Sequence, residues 1–434
     1  MRVLFTVFAA KTHFFNLVPL AWALRAAGHE VQVASQPDLA EAITRAGLTA
    51  VPVGEPLNMG GASAGGSGGG SMTRTFETLA GGMIDDSGEP PTWDRALGAF
   101  TVACSVEYEY FSGGQVLDDL VEYARHWRPD LVVWDALTFS GAVAAKACGA
   151  AHARTLFGID YVQQMYGHYL RLLEEQPEER RDDPVSDWLR GRLYRFGCDF
   201  DESSAREMLA GQWTIDPTFP GMQLPLDLPY VPVRYVPYNG QSAIPDWVHQ
   251  DPGRPRVCLS LGMSERYLPG GAQVSIGGVL ESLAELDIEL VATLNADQVA
   301  SVPSMPPNVR AVAFVPLYEL LPTCAAVVHH GGFGTLGNVL VHGLPSVTVP
   351  AAWWDEDSLG RQLGARGAGI YLAPQDVTPA RLAQAVSRVL DEPSFRDGAL
   401  RLQSELRATP GPGDLVPELE ELTERHRVRR PVHA

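Results

Sequence analysis

The sequence predicts an α/β protein built from two doubly wound, Rossmann-like units. Short apolar runs rich in β-branched residues alternate with stretches of helical spacing, the pattern of buried parallel strands joined by crossover helices. That alternation appears near the N-terminus and restarts after Pro245. Between the two, Pro237, Pro245, Pro252 and Gly253 read as a linker, so the two units are expected to face one cleft. A chain of 434 residues has room for two such domains.

The elements follow in order. RVLFTVF at 2–8 is a buried strand, and AAKTHFF at 9–15 reads as the loop after it. Leu17, Leu20, Ala21 and Leu24 then recur at helical spacing, with Gly28 placed to end the helix. EVQVA at 30–34 is a second strand, 39–46 a helix stopped by Gly47, and 50–53 a third strand. DLVVW at 130–134 is another buried strand, and 140–148 is the helix that follows. Strand, helix, strand at this spacing implies parallel pairing through right-handed crossovers. In the second unit strands are expected at 256–261, 288–293, 309–314, 325–329 and 346–349, and helices at 277–285 and 336–342. A charged helix at 415–427 follows a Pro/Gly break at 410–413. The stretch NMGGASAGGSGGGS at 58–71 has the composition of a flexible linker, natural or introduced, and no means of forming a core.

Composition narrows the function. Lys and Arg number 33 against 52 Asp and Glu, a net charge of −19, which is unsuited to gripping a nucleic-acid backbone. The five cysteines are scattered with no CxxC pair, so neither a disulfide framework nor a zinc site is expected. No signal peptide and no apolar run long enough to span a bilayer is visible, so a cytoplasmic protein that does not engage the membrane is expected.

The most informative stretch is HHGGFGT at 329–335. A buried strand runs into it and a helix runs out, so its glycines permit close backbone approach and the helix N-terminus offers free N–H groups to an anion. The spacing is neither a dinucleotide fingerprint nor a P-loop. Gly262, Met263 and Ser264, and then Val315, Pro316 and Leu317, follow other strands at their carboxyl ends, where doubly wound sheets bind ligands. AAWWDEDSLGRQ at 351–362 follows a fourth and suits a polar, ring-shaped ligand through its Trp faces and carboxylates.

Taken together, His330-Gly331-Gly332-Phe333-Gly334-Thr335, Pro345 and Asp355 resemble the donor signature of GT-B-fold, nucleotide-sugar-dependent glycosyltransferases. KTHFF at 11–15, LVPLAWAL at 17–24, WRPDLV at 127–132, GQW at 211–213 and PYNG at 237–240 are similar to the TDP-deoxysugar transferases of macrolide and anthracycline biosynthesis. The resemblance covers nearly the whole chain except about 57–100. It implies an N-terminal acceptor-binding domain at 1–240, with 57–100 variable, and a linker at 241–254. A nucleotide-sugar-binding domain at 255–410 and a C-terminal helix and tail at 411–434 complete the layout.

The resemblance also implies roles. The family inverts the anomeric centre and uses neither a metal nor a cofactor besides its TDP-sugar co-substrate. His13 matches the general base, a task that suits an imidazole, and Asp135 its partner carboxylate, with Glu107 and Glu109 as fallbacks. His330 matches the diphosphate-binding histidine. Gly332, Phe333, Gly334 and Thr335 would supply the cradle, Ser264 a further phosphate contact, and Val315 and Leu317 backbone groups for the base. His329 is expected to pack. Asp355 matches the residue that meets sugar hydroxyls. Glucose-using relatives commonly follow that Asp with Gln; here Glu356 favours a deoxysugar, and Glu356 or Asp357 is a candidate to meet an amino sugar. Phe14, Tyr108, Phe139 and Tyr161, with Tyr110, Phe111, Phe157 and Tyr166, are candidates to line a hydrophobic aglycone pocket. Some relatives work with a haem-free, cytochrome-monooxygenase-like auxiliary protein; that partner and a homodimer are both compatible with the sequence. The rival readings are a nucleotide-sugar epimerase of the same fold and a non-catalytic sugar-nucleotide-binding activator. The His13/Asp135 pair and the antibiotic-type N-terminus argue against the first, and an intact His13 and cradle against the second.

Overall fold

The computed structural model describes residues 1–57, 82–84, 89–260, 275–351 and 353–428. The Gly/Ser-rich stretch at 60–71 and Gly262, Met263 and Ser264 lie outside the described residues. The chain forms two compact units. One comprises Met1–Thr218, Gln223–Arg234 and Pro410–Ala434, the other Phe219–Met222 and Tyr235–Thr409.

The first unit is a seven-stranded, all-parallel sheet of order β3-β2-β1-β4-β5-β6-β7. The strands are β1 (Arg2–Thr6), β2 (Glu30–Ser35), β3 (Thr49–Pro52), β4 (Leu131–Asp135), β5 (Ala151–Thr155), β6 (Trp213–Asp216) and β7 (Tyr230–Pro232). All five residues of β4 are buried, as a strand covered on both faces requires. The order reverses between β1 and β4, which makes their carboxyl ends the switch point where such sheets bind ligands.

Segment 9–15 is not the expected loop. A helix runs from Lys11 to Ala26 and carries His13 and Phe14 in its first turn. Its start is hard to read because Ala10, the N-cap, makes no side-chain bond. Burial of Phe14, Leu17, Val18, Ala21 and Leu24 on one face fixes the helix nonetheless.

The chain returns to this unit at its end. Helix Pro412–His426 packs on helix Lys11–Ala26, Arg427 Nη1 bonds Asp130 Oδ1 at 2.7 Å, and Val428 N–H donates to Gly149 O.

The second unit is a six-stranded parallel sheet of order β10-β9-β8-β11-β12-β13. Its strands are β8 (Arg256–Ser260), β9 (Glu289–Thr293), β10 (Val309–Val312), β11 (Ala326–His329), β12 (Ser346–Thr348) and β13 (Gly369–Tyr371). One face packs Val257, Leu259, Leu290, Val328 and Val347 under helices Ile276–Ala284 and Pro379–Asp391. The other packs Cys258, Val291 and Val327 against Leu320, Leu321 and Val339. This order reverses between β8 and β11. The five cysteines are unpaired. Among the described residues no helix is long and apolar enough to cross a membrane.

Candidate active site

In the first unit the switch point carries His13 and Asp135. Asp135 is the last residue of β4 and His13 lies in the helix that follows β1. Their side chains meet: His13 Nδ1 is 2.8 Å from Asp135 Oδ2. Asp135 is almost wholly buried, and Leu137 N–H donates to its other oxygen at 3.1 Å, which aims the carboxylate. The carboxylate only accepts, so Nδ1 carries the proton and Nε2 presents its lone pair. Among the described residues Nε2 has no partner. The ring is held between Phe8 and Phe157, with centroids 4.5 and 4.4 Å away.

The fallback carboxylates are placed otherwise. Glu109 accepts from Trp188 Nε1 at 3.0 Å and pairs with Arg192. Glu107 is buried and forms no hydrogen bond to His13. The candidate pocket aromatics divide. Phe14, Tyr108, Phe139 and Tyr161 are at most 1% exposed. Tyr108 packs on Phe139 and Trp188, so these rings are core, and as they stand they line no open pocket. Phe157, beside His13, keeps solvent-facing surface.

In the second unit β11 ends on His329 and the chain turns through His330, Gly331 and Gly332 into helix Phe333–His342. His329 is a fixed part of the scaffold. It is fully buried, its Nδ1 accepts from Gly331 N–H at 3.0 Å, and its Nε2 faces Ser346 Oγ at 3.1 Å. Burial holds its pKa down to about 3, so the imidazole is neutral. Gly331 sits at φ +89, and a Cβ there would press within 3.0 Å of Glu356, so only glycine suits the turn. Gly332 has no room either: a Cβ would lie 2.2 Å from His330 Nε2.

His330 itself is depressed to about 4, chiefly by burial, with the Ser260 backbone at the end of β8 opposing. Its Nδ1 is enclosed and has no partner among the described residues. The helix has no side-chain cap, and its first internal bond runs from Leu336 N–H to Gly332 O. The N–H groups of Phe333, Gly334 and Thr335 therefore have no intrahelical acceptor, and with the helix dipole this end has the chemistry to receive an anion. The Phe333 side chain is not part of that face. It stacks on Phe219 at 4.8 Å and meets Tyr235 edge-on, so only its backbone remains for a ligand.

Sequence reasoning missed the cradle's support. Tyr235 Oη donates to Gly334 O at 3.2 Å, and Asn338 Nδ2 donates to the same oxygen at 2.7 Å. Gly337 exists to admit Tyr235, whose Cε1 would lie 2.4 Å from a Cβ there. The available signal was a pair of glycines three apart, 334 and 337, in an otherwise apolar helix.

Of the remaining residues, Val315 is buried in the core and Leu317 begins a short helix. That loop is tied down by Tyr318 N–H donating to Asn239 Oδ1 at 2.8 Å. Asp355 is buried at the N-cap of helix Glu356–Ala365. The Glu356 carboxylate turns back onto its own chain, accepting from Trp354 N–H at 2.7 Å. Asp357 pairs with Arg361 and Tyr371. Both carboxylates thus have partners within the protein, which orient them, and each keeps further acceptor capacity.

The model described as erythromycin biosynthesis protein CIII-like, N-terminal domain, matches residues 22–262, and the corresponding C-terminal domain matches 277–422. The aclacinomycin-T 2-deoxy-L-fucose transferase of Streptomyces galilaeus is 49% identical, over 98% of this chain and 97% of its own. The tylactone mycaminosyltransferase of Streptomyces fradiae is 46% identical, over 98% and 93%. The crystal structure of glycosyltransferase VinC in complex with DTDP superposes with a TM-score of 0.88 at 41% identity, over 98% of this chain and all of that one. Spinosyn forosaminyltransferase SpnP gives 0.80 at 40%, over 98% and 99%. These relatives are named as transferases, and neither an epimerase nor a non-catalytic activator is among them. With both domain models matched and the two doubly wound sheets in place, the chain belongs to the erythromycin biosynthesis protein CIII-like family and is a glycosyltransferase of the GT-B fold.

Proposed function

We propose that the protein transfers a deoxysugar from a TDP-sugar to a hydroxyl of a polyketide-type aglycone, with inversion and without a metal ion. The observation that carries the reading is the 2.8 Å His13–Asp135 bond at the first unit's switch point. His13 Nε2 takes the acceptor's hydroxyl proton as that oxygen bonds the anomeric carbon. The bond from that carbon to the β-phosphate oxygen breaks, and TDP leaves with the bonding pair. Asp135 stabilises the imidazolium that forms, as a buried carboxylate does in a triad.

The leaving diphosphate's charge is met by the N–H groups of Phe333, Gly334 and Thr335, by the dipole of their helix, and by neutral His330 as donor. Gly332 lets the backbone approach, and Ser264 adds a phosphate contact. Backbone groups of Val315 and Leu317 hold the base, and Asp355 binds sugar hydroxyls. Glu356 acts indirectly, by shaping the loop that presents Asp355. The apolar surround of His13 suits a hydrophobic acceptor.

The test is release of TDP from a TDP-deoxysugar on addition of tylactone, 10-deoxymethynolide or aklavinone, the compounds after which three relatives are named. It is run alone and with a haem-free auxiliary protein. TDP should appear only with an aglycone present. His13→Ala should abolish release while thermal stabilisation by TDP survives, with UDP and NAD as controls. Normal turnover by His13→Ala would reject the base assignment.

A further inference from the structure

The peptide unit that joins Gly334 to Thr335 has two unlike ends. Its carbonyl, Gly334 O, accepts from Tyr235 Oη at 3.2 Å and from Asn338 Nδ2 at 2.7 Å. These add to the ladder bond that a helix directs to a carbonyl from four residues on. Its N–H, on Thr335, points out of the helix N-terminus and has no intrahelical acceptor. Gly334 and Thr335 keep solvent-facing surface, whereas Tyr235 and Asn338 are 6% and 2% exposed. The acceptor end of this peptide is therefore gripped from inside the protein while its donor end is open. All four residues belong to the second unit.

Both side chains are set up as donors to that oxygen. Tyr235 is seated by the absence of a side chain at Gly337 and by its edge-on contact with Phe333 at 5.6 Å. Burial raises its phenol above the ordinary value, so it keeps its proton. The Asn338 amide has one sensible orientation, because turning it over would set two oxygens against each other. In that orientation its Oδ1 is enclosed with no partner among the described residues. An amide kept at the cost of an unpaired buried oxygen points to a use for its nitrogen. The neighbouring peptides differ: among the described residues no side chain donates to the carbonyls of Gly332 or Phe333.

We propose that Tyr235 and Asn338 are positioning residues that strengthen and aim the Thr335 N–H, making it the strongest backbone donor to the diphosphate. The inference rests on the function proposed above. Hydrogen bonds at an amide oxygen draw the nitrogen lone pair into the C–N bond, so the oxygen becomes more negative and the N–H more positive. A carbonyl that accepts several bonds thus makes its own peptide N–H a better donor, and the low dielectric of the interior enlarges the effect. The gain is greatest where negative charge grows, on the departing phosphate oxygen, so it reaches kcat as well as TDP affinity.

The test separates donation from packing. Tyr235→Phe removes only the phenol oxygen. Asn338→Ala and Asn338→Ser truncate the side chain almost equally, but the Ser hydroxyl can bond the carbonyl four residues back. TDP and thymidine affinities are measured by calorimetric titration, beside kcat; thymidine is the same nucleoside without phosphate. Each variant is titrated well below its own Tm, so that only folded protein is read. Tyr235→Phe and Asn338→Ala should each weaken TDP binding about threefold, and together about tenfold, with thymidine affinity unchanged and kcat falling by similar factors. Tyr235→Phe combined with Asn338→Ser should return to about the threefold loss of Tyr235→Phe alone. Thymidine weakened as much as TDP, or Ser no better than Ala, marks a packing role and overturns the inference. So does a double variant that binds TDP as wild type does, and in each case the functional reading stands. If wild type binds TDP no more tightly than thymidine, the diphosphate site itself falls and the inference falls with it.

Discussion

Replacing Asp135 by Asn isolates the carboxylate's part in the proposed chemistry. Asp135 is 2% exposed, accepts from His13 Nδ1 at 2.8 Å and is held by Leu137 N–H at 3.1 Å. Asn has the same shape. Its Oδ1 keeps the Leu137 bond, so its Nδ2 donates to His13 Nδ1 and drives the ring proton onto Nε2, the atom that must receive one. The charge that would stabilise the imidazolium is lost as well. A hydrogen bond to a charged group contributes about 1.5–3 kcal/mol. Two unit charges 4 Å apart near a protein surface attract by about 4 kcal/mol at an effective dielectric constant of about 20. These two figures overlap, so the expected loss is about 3–4 kcal/mol, or two to three powers of ten in kcat. The wrong tautomer can carry it to about 10⁴-fold. The assay is steady-state TDP release at saturating donor and aglycone, beside the Tm shift with TDP, which belongs to the other unit and should not change. A kcat within tenfold of wild type, with the TDP shift intact, would refute the pairing as a catalytic device.

Two further perturbations address the donor cradle. Gly332→Ala places a Cβ 2.2 Å from His330 Nε2, so the ring must leave its position. The TDP-induced Tm shift should fall to less than half of wild type while the ligand-free fold is retained; an unchanged shift would remove His330 from the diphosphate site. The second concerns pH. The folded-state pKa of His330 lies at about 4, below its unfolded value of about 6.5. The unfolded chain therefore binds the proton first, and the stability contributed by neutral His330 is full above about pH 6.5 and lost as pH falls toward 4. The slope is on the order of 1 kcal/mol per pH unit. Denaturant unfolding of wild type and His330→Gln across that window should show the variant flatter by this amount; parallel curves would reject it.

Much of the fold is legible in the sequence, and the failures have physical causes. The strands β1, β4, β8 and β11 are largely apolar runs, and burial on both faces makes them readable; β2 is readable from its alternation. Strand β5 is equally buried, yet it reads AHART. Arg154 is neutralised by Asp160 and bonded to Thr214 Oγ1, and His152 lies between Trp134 and Glu207. Buried polar partners distant in sequence erase the hydrophobic pattern that would announce a strand. The helix over Lys11–Ala26 was read too short for a related reason: without a capping side chain, nothing local marks where it begins. At the candidate site, His13, Asp135 and the glycine turn are legible because their chemistry is intrinsic to the residue type, and the fold brings His13 and Asp135 together. Tyr235 and Asn338 are not, because their roles depend on a Gly334 carbonyl that only the folded helix presents. Residue type does not reveal which way a ring points: the Phe333 ring and the four buried aromatics pack inward.

The contrast between the chain's histidines follows from where each is placed. His13 has a buried carboxylate 2.8 Å from one nitrogen, the partner that the proposed chemistry gives it. His329 and His330 are enclosed without an opposing charge, and burial holds both well below neutrality. A histidine in the cradle that carried a permanent positive charge would bind the TDP product at least as tightly as the transition state, and binding shared by both does not raise kcat. A neutral donor aimed by the turn instead responds most strongly where negative charge grows, on the departing phosphate oxygen. The same side chain thus suits opposite tasks in the two units, and the deciding variable is whether the fold places a carboxylate beside it.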